Sequence, residues 1–304
     1  MALTIGLGLV GLLFEAYNRT DLHPSNVDIP RHCRCMETSA LIQPHHVKEL
    51  QKRGIVVLPA ALSEDQVYAA RRGIENYMKE KNVVMEASGN DADVRQDCIL
   101  WIQDEVKTNM KSSSCRAIRK IGVDDESDDT GSEHLMYCVR FVRGVEQALQ
   151  DSGYNGDGIS TSATTATATK STTATSPRPA RHVVVPRPCQ LALYPGDSRA
   201  SYARHLDACT STLYELGLLE WWRLSDYRQR VTTVILYLNK PDRQESDGGM
   251  LRCWANPKDR EESFDIVPKG GTLVIFQSDL VEHMVLPSTV DRYALTNWVS
   301  ETHS

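Results

Sequence analysis

A series of eight short strand-like segments runs through this chain after Val183. Each segment has four to eight residues rich in Val, Ile, Leu, Thr or Tyr, and Gly, Pro or Asp separates it from the next. Many short strands with such punctuation are typical of antiparallel sandwiches and jelly rolls. We therefore predict a mainly β fold. The segments are 191–194, 202–207, 231–238, 249–254, 264–267, 272–276, 283–286 and 292–299.

Helical patterns precede these strands. A helix over residues 45–53 is expected to end at Gly54 in the left-handed conformation, and an apolar strand follows over 55–59. Ser63 and Gln66 have the spacing of a capping box, which predicts the start of a helix that continues to about Lys81. Another amphipathic helix is predicted over 134–150. These elements are expected to form an N-terminal layer packed on the strand-rich part.

Two polar stretches divide the chain into regions. Residues 160–176 are almost wholly Ser, Thr and Ala, and 124–133 are acidic and polar. Neither stretch can offset its ordering entropy by apolar burial, so both are predicted to lack regular structure; a glycosylated stalk is the alternative for the first. The predicted regions are 1–43, an apolar N-terminus and irregular lead-in; 44–158, a helix and strand support region; 159–182, a disordered insertion; and 183–304, the jelly-roll domain.

Net charge, cysteine spacing and the apolar residues 1–14 indicate which partners and which cellular compartment to expect. A formal charge of −6 argues against nucleic acid as a partner. The eight cysteines are scattered, which predicts reduced thiols in a cytosolic type of compartment. Residues 1–14 are apolar, but they are too short for a transmembrane helix and lack a basic leading region. Membrane association is therefore not expected, and entry into the secretory pathway through residues 1–14 stays the alternative.

Three residues have the chemistry of a metal site. His205, Asp207 and His283 supply two imidazoles and one carboxylate, the ligand set that holds Fe(II) on one side and leaves other positions open. On a strand, residues i and i+2 point to the same face. His205 and Asp207 are therefore expected to enter the mouth of the barrel, with Leu206 packing outward. In a chain with nine histidines, one His-x-Asp motif is weak evidence for a metal site. The presence of His283 on a later predicted strand strengthens the evidence.

The last predicted strand carries a possible anion site. Arg292, Ala294, Thr296 and Trp298 share one face of this strand by its period of two. If this face lines the barrel, the Arg292 guanidinium can form a bidentate salt bridge to a carboxylate, and the Tyr237 hydroxyl can add a hydrogen bond. The alternative is a salt bridge at the rim for Arg292, with Tyr237 and Trp298 as core aromatics.

Taken together, these motifs resemble the 2-oxoglutarate/Fe(II)-dependent dioxygenases, and within them the prolyl 4-hydroxylases of the HIF prolyl hydroxylase type. The resemblance extends over about residues 90–300, interrupted by insertions, and it implies a double-stranded β-helix, the cupin-like jelly roll, with flanking helices. The chain differs from that family in a lengthened 209–230 connection, which we predict to form a helix or an ordered lid. The motifs that carry the resemblance are Arg95-Gln96-Asp97, Trp101-Ile102, Tyr194-Pro195-Gly196, Tyr202-Ala203-Arg204-His205-Leu206-Asp207, Leu236-Tyr237-Leu238-Asn239, Gly248-Gly249-Met250-Leu251-Arg252, His283, and Arg292-Tyr293-Ala294-Leu295-Thr296-Asn297-Trp298.

The resemblance also implies a role for each matching residue. His205, Asp207 and His283 would bind the iron. Arg292 would bind the distal carboxylate of 2-oxoglutarate. The collagen-type enzymes of the secretory pathway usually carry lysine at this position, so arginine implies the cytoplasmic or nuclear branch. The other implied contacts to the co-substrate are Tyr237, Tyr194 and Thr296, and further candidates for the pocket or the substrate are Tyr202, Arg204, Arg95, Asp97 and Trp298.

The activity implied by the resemblance is peptidyl-prolyl 4-hydroxylation of a protein substrate that contains proline. Fe(II), 2-oxoglutarate and O2 would be required, ascorbate would act as the reductant, and succinate and CO2 would be released. One alternative is an oxygenase of the same fold that hydroxylates another residue or a small molecule. A second is a non-catalytic scaffold that binds partners through Trp221 and Trp222.

Overall fold

The computed structural model describes most of the chain in eleven stretches: residues 26–27, 36–88, 94–102, 132–154, 183–186, 188–211, 214–215, 217, 224, 229–255 and 262–301. Four predictions fall wholly or mostly outside these residues. They are the apolar N-terminus 1–14, the acidic loop 124–133 apart from its last two residues, the insertion 159–182 and the 209–230 connection apart from a few positions.

The helices begin and end where local chemistry predicts. Gly54 has a φ of 75° and donates its amide to the Leu50 carbonyl at 2.8 Å, which ends the second helix. Ser63 and Gln66 form the predicted capping box at the start of the third. No helix within the described ranges is both long and apolar enough to cross a bilayer. The helices are α1 (Met36–Leu41), α2 (Pro44–Arg53), α3 (Glu64–Lys81) and α4 (Glu133–Asp151).

The strands form two antiparallel sheets, which confirms the predicted mainly β jelly-roll class with flanking helices. The strands are β1 (Asn26–Val27), β2 (Ile55–Leu58), β3 (Glu86–Ala87), β4 (Cys98–Ile102), β5 (Val183–Pro186), β6 (Cys189–Tyr194), β7 (Tyr202–His205), β8 (Arg230–Tyr237), β9 (Leu251–Trp254), β10 (Phe264–Ile266), β11 (Leu273–Gln277), β12 (Glu282–Val285) and β13 (Arg292–Glu301). The larger sheet has nine strands in the order β2-β11-β8-β13-β6-β4-β3, with β5 beside β13 and β1 beside β5; the smaller has the order β10-β9-β12-β7.

The larger sheet is covered on both faces, so most residues of its central strands β8, β11 and β13 are buried. One face packs on the helices, and Leu236 of β8 and Leu295 of β13 meet α4 there in the larger apolar cluster. The other face turns toward the smaller sheet and contributes Ile235 and Ala294 to a second cluster. This alternation along β8 and β13 is the period of two that the sequence shows. The described cysteines are free thiols: Cys98, Cys138, Cys189, Cys209 and Cys253.

A single stretch, residues 94–102, joins the two sheets at one edge. Its second half is β4, which pairs with β6 of the larger sheet. Its first half pairs with β7 of the smaller sheet, where the Ala203 amide donates to the Val94 carbonyl at 2.8 Å and Arg95 bridges to Tyr202. The stretch thereby closes one side of the space between the sheets, in which the site described below lies.

A buried asparagine next to β8 provides a test of this packing. Asn239 is fully buried; its Nδ2 donates to the Pro268 carbonyl at 2.7 Å, and its Oδ1 accepts from the Tyr293 amide at 2.6 Å. Asn239→Leu leaves the buried Pro268 carbonyl and Tyr293 amide without these hydrogen bonds, so we expect the free energy of unfolding to fall by roughly 2–4 kcal/mol. Urea denaturation measures this change. The exposed neighbour is the control, since Lys240→Ala should stay within about 0.5 kcal/mol; equal losses in both variants would contradict the assignment.

Candidate metal centre

Three potential ligands converge in the space between the sheets. His205 ends β7, His283 lies directly opposite it on β12, and Asp207 follows β7 by two residues. The Nε2 atoms of His205 and His283 lie 3.5 and 3.8 Å from the Asp207 carboxylate oxygens. One donor atom from each residue lies within 4.8 Å of the other two. A single ion can therefore contact all three side chains.

One detail of the predicted geometry is wrong. The strand ends at His205, and the chain bends at Asp207 and Ala208, so the regular alternation of side chains stops after His205. Leu206 consequently does not pack outward but lines the same cavity as its two neighbours. The Asp207 carboxylate lies beside both imidazoles, on the same side as His205, as predicted.

The two imidazoles are held in the same tautomer. His205 Nδ1 lies 2.8 Å from the Ala203 carbonyl, and His283 Nδ1 lies 3.1 Å from the Val281 carbonyl. A carbonyl oxygen can only accept, so each Nδ1 carries the hydrogen and each Nε2 keeps its lone pair. Both lone pairs belong to the atoms nearest Asp207. The backbone thus prepares both rings as metal ligands, a role that outer partners of histidine ligands commonly have.

A hydroxyl pair holds the carboxylate in place. Thr233 Oγ1 donates to Asp207 Oδ2 at 2.8 Å and, since it has one hydrogen, accepts from Ser278 Oγ at 2.8 Å. Burial alone raises the pKa of Asp207, but the adjacent imidazoles, His283 foremost, hold it well below its usual value. Thr233 was not predicted as a partner of Asp207, because it lies on a different strand and the contact forms only on folding.

These protonation states suit a divalent ion. Burial lowers the pKa of His283 to about 4, so this imidazole is neutral at physiological pH, while Asp207 is ionised. Two neutral imidazoles and one carboxylate are the donor set of mononuclear non-haem Fe(II) sites. The three residues therefore fit an iron ion by chemistry as well as by proximity.

The Thr233 hydroxyl can be tested without disturbing packing. Thr233→Val keeps the shape but frees the Asp207 carboxylate to rotate, and we expect about tenfold weaker metal binding, as is typical for loss of an outer partner. Titration with Fe(II) or Mn(II) under anaerobic conditions measures it. Thr232→Val is a matched control, because the Thr232 hydroxyl is buried without a hydrogen-bond partner in the described ranges. Equal weakening in both variants would point to a packing effect instead.

A cavity of about 130 Å³ extends from the three ligands toward Arg292. Arg292 is 1% exposed, and its guanidinium lies 4.8 Å from the Tyr194 ring and 5.0 Å from the Tyr237 ring. Its Nη2 lies 3.3 Å from the Tyr237 hydroxyl, and burial raises the pKa of Tyr237 to about 12. Tyr237 supports Arg292 from behind, whereas Tyr194 and Thr296 line the cavity. This deep cation is positioned to bind an anionic group.

Arg95, Asp97 and Tyr202 form a network beside the metal centre. Arg95 makes a bidentate salt bridge to the buried Asp97, at 2.5 and 2.7 Å. Its guanidinium lies 4.8 Å from the centre of the Tyr202 ring, and this ring stacks on His205 with centroids 3.8 Å apart. Arg95 Nη2 also donates to Gln190 Oε1 at 2.7 Å. Gln190 was missed in the sequence, since an isolated glutamine has no motif. Asp97 does not line the cavity; it fixes Arg95, which does.

Aromatic side chains border the open side of the cavity. Trp101 and Trp298 have ring centroids 6.1 Å apart, and the Arg230 guanidinium lies 4.2 Å from the Trp298 ring. All three line the cavity, and Trp101 is 49% exposed. Large flat apolar surface at the entrance suits a substrate with an apolar ring or chain. Trp298 was a sequence candidate, whereas Trp101 appeared only within a motif and Arg230 was missed.

Arg204 does not enter the pocket, contrary to the prediction. It lies between Ala203 and His205 on β7, so its side chain points to the opposite face of the smaller sheet. There it pairs with Glu282 and stacks 3.9 Å over the Trp254 ring. The sequence motif placed it next to a ligand along the chain, but strand alternation puts it on the other side.

Comparison with known proteins agrees with this geometry. Residues 189–300 match the family model described as the 2OG-Fe(II) oxygenase superfamily. Among solved structures, a prolyl-4-hydroxylase from Pseudomonas putida is 21% identical with a TM-score of 0.51. The match covers 86% of this chain and 100% of the Pseudomonas putida chain. A prolyl hydroxylase from Trichoplax adhaerens, in complex with a peptide fragment of the hypoxia inducible factor oxygen degradation domain, is 19% identical, covers 90% of this chain and 94% of its own, and has a TM-score of 0.54. A prolyl 4-hydroxylase from Phytophthora capsici is 18% identical with a TM-score of 0.53, and the match covers 93% of this chain and 70% of that one. At these identities the structures show a shared fold.

Proposed function

We propose that this protein, in which residues 189–300 form a 2OG-Fe(II) oxygenase domain, is a prolyl 4-hydroxylase that acts on a protein substrate. The observation that carries the proposal is that His205, Asp207 and His283, which can share one metal ion, line the same cavity as the buried Arg292. The first three residues suit Fe(II), and the fourth suits the distal carboxylate of 2-oxoglutarate.

Iron held by these ligands, with 2-oxoglutarate and O2, supplies the oxidising chemistry that hydroxylates a C–H bond as succinate and CO2 are released. The protein contributes the geometry. Arg292 orients the co-substrate along the cavity by binding its far end, and Tyr194 lies beside its path. Apolar walls, including Ala192, Ile235 and Ala294, restrict water around the reacting groups.

Proline is proposed as the target because of the entrance and the fold. Trp101 and Trp298 offer ring faces that suit the flat apolar side of a pyrrolidine ring. Three solved structures with this fold are prolyl hydroxylases, and the one from Trichoplax adhaerens holds a peptide. An extended peptide laid across the open side would bring one side chain to the metal centre.

The test uses purified protein with Fe(II), 2-oxoglutarate and ascorbate. Proline-containing peptides should stimulate succinate formation and gain 16 mass units at proline, while the same peptides with alanine should do neither. His283→Ala should lose both readouts. Succinate formation that no proline peptide stimulates would refute proline as the target. Stimulation by a small molecule or another residue would identify an oxygenase of the same fold, and a protein that binds no iron but retains a partner would be a scaffold.

Ascorbate is proposed as the reductant that keeps the iron in the ferrous state. Omitting ascorbate should leave the first turnovers unchanged but shorten the period of linear succinate formation. A time course with and without ascorbate, at fixed Fe(II), measures this. An unchanged time course would remove ascorbate from the proposal without affecting the co-substrate.

We further propose that the protein acts in the cytoplasm or the nucleus. Arginine at 292 and free thiols at the described cysteines support this location. Fractionation of cells that express the full chain with a C-terminal tag tests it. Recovery of the protein in a glycosylated or membrane-bound secretory fraction would favour a role for residues 1–14 as a signal or an anchor.

A further inference from the structure

A second buried arginine lies next to Arg292. Arg243 follows β8, is 4% exposed and is not part of the cavity wall. Its Nη1 donates to the Asp291 carbonyl at 2.9 Å, and its Nη2 donates to Ser288 Oγ at 2.7 Å and to the Gly248 carbonyl at 3.2 Å. These bonds tie the segment before β9 to the segment before β13. Arg243 therefore holds in place the residues on either side of the anion-binding end of the cavity.

The two arginines meet over one glycine. Arg292 Nε donates to the Gly249 carbonyl at 2.8 Å. A Cβ atom at Gly249 would lie 2.9 Å from Arg243 Nη2 and 3.0 Å from Arg292 Cδ, and the φ of +66° at this position already requires glycine. Both side chains thus pack on the same residue, and the bond from Arg243 to Gly248 helps to fix the carbonyl that orients Arg292.

Neither guanidinium has a carboxylate within 4.0 Å among the described residues. All their bonds go to carbonyl or hydroxyl oxygens. Burial first, and the charge of Arg292 second, lower the pKa of Arg243 to about 10, and Asp247 offsets this effect only from a distance. Two buried positive charges with no close counter-ion are costly unless a ligand neutralises them.

We propose that Arg243 is a positioning and specificity-determining residue that makes this pocket select dianionic 2-oxo acids over monoanionic ones. The inference rests on the proposed function, since it assumes that Arg292 faces the far end of 2-oxoglutarate. A carboxylate bound to Arg292 also relieves the repulsion between the two guanidinium groups. A ligand with a methyl group at that end relieves none of it, so the charge of Arg243 acts on the dicarboxylate alone.

The experiment compares two ligands that share the chelating end. Mn(II)-loaded protein is titrated anaerobically by calorimetry with 2-oxoglutarate and with 2-oxopentanoate, and thermal unfolding is recorded for every variant. Loss of one charge at short range in an environment of intermediate dielectric predicts that Arg243→Gln binds 2-oxoglutarate about tenfold more weakly. Its affinity for 2-oxopentanoate should stay within about twofold. Arg243→Lys, which retains the charge, should keep most of the preference for the dicarboxylate.

The variants separate a charge effect from a structural one. Arg53→Gln removes a cation on α2 that pairs with Glu49, and it should leave both affinities unchanged. Equal weakening of both ligands by Arg243→Gln, or no weakening of either, would overturn the inference while leaving the proposed function intact. If Arg243→Gln does not fold, a folded Arg243→Lys that has lost the dicarboxylate preference would overturn it. Wild-type protein that does not bind 2-oxoglutarate would overturn the proposed function and this inference together.

Discussion

Asp207→Ala is expected to raise the dissociation constant for Fe(II) by roughly a thousandfold and to abolish 2-oxoglutarate turnover. The carboxylate is the single anionic donor among the three ligands. The apparent binding free energy of a protein metal site is ~10–16 kcal/mol for Zn²⁺, and few donors share it, so each donor contributes about 3–4 kcal/mol. The two imidazoles that remain are neutral ligands and cannot replace the lost negative charge. Anaerobic metal titration and succinate formation measure the two effects.

A carboxylate away from the site provides the control for Asp207→Ala. Asp265 pairs with Arg252 at 2.8 Å at the surface of the smaller sheet. Asp265→Ala also removes one negative charge, yet it should leave metal affinity within about twofold, because the surface pair is screened by solvent. Retained turnover in Asp207→Ala at saturating iron would contradict the assignment of the carboxylate as a ligand.

Arg292→Gln is expected to raise the KM for 2-oxoglutarate by roughly a hundredfold. A buried guanidinium that forms a bidentate salt bridge contributes about 2–4 kcal/mol to the binding of a carboxylate. Glutamine leaves the distal carboxylate desolvated without a counter-charge. Arg292→Lys restores the charge but not the fork that also donates to Gly249 and reaches Tyr237, so we expect a smaller rise of about tenfold. Steady-state kinetics at varied 2-oxoglutarate and saturating Fe(II) measure both values.

Metal binding distinguishes this defect from misfolding. Both variants at position 292 should bind Mn(II) with wild-type affinity, because Arg292 makes no contact with the three ligands. Arg252→Gln, which removes an exposed arginine on β9, should leave the KM for 2-oxoglutarate unchanged. If Arg292→Gln kept the wild-type KM, the distal carboxylate would have to bind elsewhere.

Local patterns predicted much of the architecture. The capping box at Ser63 and the left-handed Gly54 placed the ends of two helices, because both motifs act within a few residues. The period of two placed Arg292, Ala294, Thr296 and Trp298 on the face that lines the cavity, as the structure shows. Two-residue strands such as β1 and β3 escaped detection, since two residues contain no period and their pairing partners are distant.

The failures within the site have a common physical cause. Leu206 and Arg204 were placed by their neighbours along the chain, but a bend after His205 and the alternation of β7 decide where they point. Thr233, Gln190 and Arg243 were not identified, because each acts through a hydrogen bond to a residue remote in sequence or through a shared contact. No local signal encodes a partner that folding alone brings close.

The sequence alone determined the identity of the three potential iron ligands, the arginine that follows them and the class of fold, because residue type and strand period are local properties. Only the tertiary structure decided that these groups share one cavity. It placed His283 opposite His205, returned Asp207 to both imidazoles, and set Arg243 behind Arg292. Those distances depend on how two sheets pack, and packing is fixed by apolar contacts and hydrogen bonds throughout the chain rather than by any single segment.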